Sequence, residues 1–172
     1  MRCLLSVGLA LWVLLGRSDG AAPARPASEF TSTDLRKAQL LDRSAGNASY
    51  LCGGVGIYQV LLQSSEGRSW LDLLVGETVV SLSRGIFEVC PGANPRTADA
   101  VVEWRGYRRG KQFTPYALCF RMASEDPRDK AVRETVVVVK LNGAQSRVVG
   151  QLGAQETKEA IHAMADRLCL QP

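Results

Sequence analysis

FTPYALCFRM, residues 113–122, alternates along its length: Tyr116, Leu118, Phe120 and Met122 project to one side of an extended strand, and Ala117, Cys119 and Arg121 to the other. The first set is predicted to be the core beneath a helix, which leaves Cys119 on the opposite face. The fold turns on this strand, because the hairpins, the cysteines and a C-terminal helix are all placed by reference to it.

Downstream, RETVVVVKL (133–141) and AQSRVVGQL (144–152) are β-branched runs joined by Asn142-Gly143, a pair that tolerates positive φ and predicts a tight two-residue hairpin. After Gly153 the period changes to helical. In QETKEAIHAMADRLC (155–169), Ile161, Met164, Ala165, Leu168 and Cys169 share one face, and Lys158, His162 and Asp166 share another that reads as solvent-exposed. Upstream, Val101–Trp104 is predicted to pair with Phe113–Met122, with the polar segment ASEDPRDKA (123–131) as the following loop. CPGANPRTAD (90–99), with two prolines, is predicted to be a loop, and GIFEV (85–89) a strand. Val55–Gln63, WLDLLV (70–75) and ETVVSLS (77–83) form a three-strand meander. Nearer the N-terminus, Ser32 or Thr33 would cap a short helix with Leu35, Ala38 and Leu41 at helical spacing, ending at Gly46. The expected class is therefore α+β: an antiparallel meander of about six to eight strands with a short N-terminal helix and a C-terminal helix packed on one face.

Met1 and Arg2 precede an unbroken apolar run from Leu4 to Leu15 and a small-residue region ending Gly20-Ala21-Ala22, the pattern of a secretory signal peptide over residues 1–20, with cleavage as late as Ala24. The run is shorter than the roughly 20 residues needed to span a bilayer. Residues 21–31 read as a flexible lead-in, and 32–172 as a single domain. A leader places the protein in the periplasm or outside the cell, where the four cysteines that remain would pair. The face assignment of Cys119 favours Cys90 with Cys119 and Cys52 with Cys169. A zinc site is disfavoured, since no two cysteines lie at CxxC spacing.

Without residues 1–20, which carry Arg2, Arg17 and Asp19, 19 basic residues face 16 acidic ones, a formal net charge of +3. Nucleic-acid binding calls for a stronger basic excess or a stripe, so it is not expected. Triad catalysis is disfavoured because His162 is the single histidine and no GxSxG occurs. The glycines of LCGGVGIY precede a strand and lack a following GK[ST], so no nucleotide site is expected. Glu125, Asp126 and Asp129 lack a calcium-loop order, and neither metal nor cofactor is implied. The carboxylates Asp72, Glu77, Glu88, Asp99 and Glu103 leave an envelope hydrolase with paired carboxylates as a secondary reading, beside a purely structural accessory domain.

One segment favours binding. VEWRGYRRGKQ (102–112) sets Arg105, Arg108, Arg109 and Lys111 around Tyr107, residue types that concentrate at interface hot spots, at the connection of a predicted hairpin. The leading expectation is an exported, non-catalytic domain that binds another exported protein or an anionic envelope polymer. Val102 and Trp104 are placed together on one face of the sheet.

Overall fold

A computed structural model describes residues 24–90 and 92–170. The expected leader, residues 1–20, lies outside them. The chain runs β1 (Arg25–Ser32), β2 (Gln39–Ser44), β3 (Asn47–Val55), β4 (Tyr58–Ser65), β5 (Arg68–Val75), β6 (Thr78–Val80), α1 (Ser83–Val89), β7 (Ala93–Thr97), β8 (Val101–Arg109), β9 (Gln112–Glu125), β10 (Val132–Lys140), β11 (Arg147–Gly153) and α2 (Lys158–Leu170). All strand pairing between these elements is antiparallel.

Two sheets form, where the sequence predicts one. The first is a five-strand meander in the order β2-β3-β4-β5-β6; the second has the order β1-β8-β9-β10-β11, with β7 added against the end of β9. They pack face to face, and α2 lies on the outer side of the second sheet, so the domain has three layers. The expected two-layer α+β arrangement is thereby corrected to a mostly antiparallel β architecture with two short helices.

The run Val136–Val139 shows why. Val137 and Val139 join the core between the sheets, whereas Val136 and Val138 lie beneath α2. A strand buried on both faces reads as a continuous apolar run, since neither side meets water. The same holds for β9, and here the predicted faces are reversed. Leu118, Phe120 and Met122 point away from α2 into the core between the sheets, and Ala117 and Cys119 point toward it. Tyr116 departs from the alternation: Arg105 pairs with Ala117 and Gly106 with Pro115, so Tyr116 is the extra residue of a bulge and sides with Ala117. Gly106 is required there, because a Cβ would lie 2.5 Å from the Thr114 carbonyl oxygen and 2.6 Å from the Phe113 ring.

The reversal removes the basis for both disulfides. Cys52 and Cys90 are buried between the sheets and Cys119 and Cys169 beneath α2, so a sheet separates the predicted partners in each pair. All four cysteines are free and buried. The same partition prevents the four sulfurs from gathering around one zinc ion. Burial pushes the Cys90 and Cys169 thiols up to about 11, and the Cys52 and Cys119 thiols upward as well. Such thiols stay protonated and unreactive at neutral pH. Thiol titration is expected to find all four reduced, silent in the folded protein and reactive after denaturation, and reductant to leave the melting temperature unchanged. Fewer than four reactive thiols in the denatured chain would reject the arrangement.

Five local expectations also change. The helix predicted from Ser32 to Gly46 is replaced by a turn at residues 35–37 and strand β2, and from Arg25 the supposed lead-in is β1, paired along its full length with β8. Leu35 and Leu41 are exposed, so the helical spacing had no core to face. GIFEV lies in α1, entered where Asp72 accepts hydrogen bonds from the Leu82 backbone N–H (2.8 Å) and the Ser81 hydroxyl (3.3 Å). Burial raises the Asp72 carboxyl above its ordinary range despite these donors. Within the predicted loop 90–99, Ala93–Thr97 form β7, where Pro95 is accommodated because only one side of the strand is paired and the register shifts between Ala93 and Arg96. The hairpin predicted at Asn142-Gly143 is wider than two residues: Gly143 takes positive φ, but the turn closes through Gln145 and Ser146 N–H groups bonded to the Asn142 and Gly143 carbonyls. Among the described residues no helix is long and apolar enough to cross a membrane.

Candidate functional site: the seam between β8 and α2

β8 carries the basic aromatic segment, and its extended backbone divides it between two faces. Val102 and Trp104 turn inward to the core between the sheets, and Trp104 is fully buried (0% exposed). Its indole N–H donates to Thr31 Oγ1 at 2.8 Å. The residues expected to bind a partner are scattered by the same alternation. Arg105 faces α2 and forms a bidentate pair with Asp166, Nε to Oδ1 at 2.9 Å and Nη2 to Oδ2 at 3.0 Å. Tyr107 packs against Tyr116, ring centroids 5.1 Å apart, beside the α2 core. Arg108 lies on the other side, 2.7 Å from Glu29 and 5.3 Å from the centre of the Phe113 ring. Only Arg109 and Lys111, both exposed, remain at the hairpin end. The segment is thus a strand whose middle is structural.

The polar face of α2, predicted to meet solvent, instead meets this strand. Lys158 Nζ lies 5.3 Å over the Phe30 ring, His162 Nε2 is 2.6 Å from Glu103 Oε1, and Asp166 accepts from Arg105 and from the Tyr116 hydroxyl at 2.5 Å. The spacing explains the match. Four helical residues rise about 6 Å, and two strand residues advance roughly 6.6 Å. Helix positions 162 and 166 therefore keep step with Glu103 and Arg105 on the outward face of β8, and Lys158, one turn earlier, reaches across to Phe30, the β1 partner of Glu103.

Burial alone would raise the Asp166 carboxyl, but the hydrogen bonds from Arg105 and Tyr116 outweigh it and hold the carboxyl below its usual range. Arg105 is raised in turn, by its bonds to Asp166. The Tyr116 phenol is pushed well up, by burial first and Asp166 second, so it remains a donor.

Beside the seam, at the N-terminal end of α2, is a groove of about 310 Å³. Cys119, Val136 and Ile161 supply buried apolar wall, and Phe30 (54% exposed) and Val101 (48% exposed) stand at its mouth. Asp99, Glu103 and Glu156 line it together with Arg121 and Lys158. Arg121 is held by Asp99 (3.4 Å), Glu134 (3.8 Å) and the Ala154 carbonyl oxygen (2.8 Å).

Of the five carboxylates considered for hydrolysis, Asp99 and Glu103 share this groove, but Asp99 faces Arg121 and Glu103 faces His162. Asp72 is bound at the entry to α1, and Glu88 pairs with Arg84 on the surface. Cys119 lines the groove opposite Glu103 in the strand register, yet its thiol is driven upward by burial, the wrong direction for a nucleophile. Asp126 and Asp129 accept bonds from Arg133 and from backbone N–H groups of their own turn, an arrangement that closes the 126–131 loop. No protein family matches the chain, and neither a characterised protein nor a solved structure shows significant similarity to it.

Proposed function

We propose that the chain is an exported, non-catalytic binding domain whose contact surface is the groove between β8 and α2. Export rests on the leader pattern of residues 1–20. The observation that carries the binding reading is the convergence of two large exposed apolar side chains, Phe30 and Val101, at the mouth of a concave surface with buried apolar walls and a charged rim. Apolar walls with a few placed polar groups are what ligand sites share. The rim, with three carboxylates against two cations, favours an exported protein over an anionic polymer as partner. The basic hairpin supports the polymer reading weakly, because Arg105 and Arg108 are already paired with carboxylates.

Capture from an envelope extract tests the assignment. Replacing Phe30 and Val101 together by serine is expected to abolish retention of the partner with little loss of stability, both side chains being about half exposed. Replacing Arg109 and Lys111 by alanine is expected to leave retention intact. The opposite pattern would move the surface to the hairpin end.

A further inference from the structure

We propose that the groove recognises an alkylammonium group, a primary or quaternary nitrogen cation on an apolar stem. This deepens the binding reading and rests on it. The Phe30 ring is exposed on an edge strand, and the Lys158 ammonium already stands 5.3 Å from its centroid. Aromatic faces attract cations through their quadrupole, and most strongly where water is partly excluded. Here the chain's own lysine occupies the place that a ligand cation would take.

The charges around the ring point the same way. Asp99, Glu103 and Glu156 line the groove, and Arg121, the other cation there, is already tied to two carboxylates and a carbonyl. Withdrawing Lys158 leaves a rim of net negative charge on a protein whose formal total is positive. An anionic ligand would meet those carboxylates, and a neutral one would leave the aromatic face without its cation. The apolar wall of Val136, Cys119 and Ile161 accepts the stem. The volume, about 310 Å³, sits at the small end of ligand pockets, which suits a short chain with a compact head.

Lys158 is in this scheme an internal competitor, and that supplies a test that structural damage cannot imitate. The purified protein would be titrated with hexylammonium, hexyltrimethylammonium, hexanoate and hexanol, and with Nα-acetyl-lysine methylamide to represent a partner's side chain, following amide resonances by NMR. The expected result is that the cations perturb residues around Phe30, Glu103 and Ile161, with hexanoate at least about tenfold weaker. Lys158→Ala is expected to tighten the cations by about two- to fivefold and Phe30→Leu to weaken them by a similar factor, the range of a cation–π contact at an exposed site. Tighter binding of the acetyl-lysine probe than of hexylammonium would identify a protein side chain as the source; the reverse order would identify a free amine.

Equal binding of hexanoate and hexylammonium, or no gain on Lys158→Ala, would overturn the ammonium assignment while leaving the groove as a binding surface. Silence toward every probe with partner capture still lost on Phe30 and Val101 replacement would do the same. Silence together with unchanged capture would overturn both readings.

Discussion

Trp104→Ala is expected to cost about 3–5 kcal/mol, the range for deleting a large aromatic side chain from a packed core. Natural domains are stable by roughly 5–15 kcal/mol, so this one change would remove a large part of the total. Trp104 sits on β8 with no exposed surface, its ring 6.3 Å from that of Tyr58 on the facing sheet. Alanine would leave a cavity at the contact between the two sheets, with the Thr31 hydroxyl losing its indole partner. Trp104→Phe should recover most of the stability but leave that hydrogen bond unmade, a deficit of roughly 1–2 kcal/mol. Urea titration measures both. If alanine cost less than about 1 kcal/mol, Trp104 could not be the layer contact described.

The placement of Trp104 also marks how far the sequence could be read. Extended segments were legible where one face differs from the other or where β-branched residues run together, as in the β4–β5–β6 meander and β10–β11. α2 was legible because Ile161, Ala165 and Cys169 recur at helical spacing, and all three are buried. The number of layers was not, since β9 and β10 are apolar on both faces and carry no mark of which side meets the helix. The cysteine pairing depends on which side Leu118 and Phe120 face, and with that side reversed both expected pairs fall on opposite faces of the sheet. α1 was hidden for a different reason: seven residues give barely two turns, and Ile86, Phe87 and Val89 have the composition of a strand.

The seam does carry a signal in the sequence. Lys158, His162 and Asp166 recur every four residues, and Val101, Glu103, Arg105 and Tyr107 every two. Those two periods advance by nearly equal distances, so successive polar positions of the helix, His162 and Asp166, can lie beside successive polar positions of the strand, Glu103 and Arg105. The groove was not legible at all. Its mouth depends on Phe30, and Phe30 is placed by a pairing with Glu103, 73 positions away in the chain.

Arg105→Ala is expected to destabilise the protein by about 1–3 kcal/mol at pH 7, less than the 3–5 typical of breaking a fully buried pair, because Asp166 retains contact with solvent. The side chains of Arg105 and Asp166 are 11% and 31% exposed. The pH dependence identifies the cause. In the wild-type protein the Asp166 carboxyl is held below its usual range, so its contribution is present above the unfolded value near 4 and is lost as pH falls through the folded one. Without Arg105, burial acts on that carboxyl with the Tyr116 hydroxyl and His162 left to oppose it, and the sign is expected to reverse: the ionised form becomes the costly one, and acid relieves it by protonation. The stability gap between wild type and Arg105→Ala should therefore be widest at neutral pH and narrow toward pH 3. Asp166→Asn should show a gap that also narrows in acid, and the double variant should lose less than the sum of the singles. Urea titrations at pH 7, 5 and 3 would decide it: a gap for Arg105→Ala that stays constant over that range would mean that Arg105 acts through packing of its stem, and the helix would then be held to β8 chiefly by its apolar face.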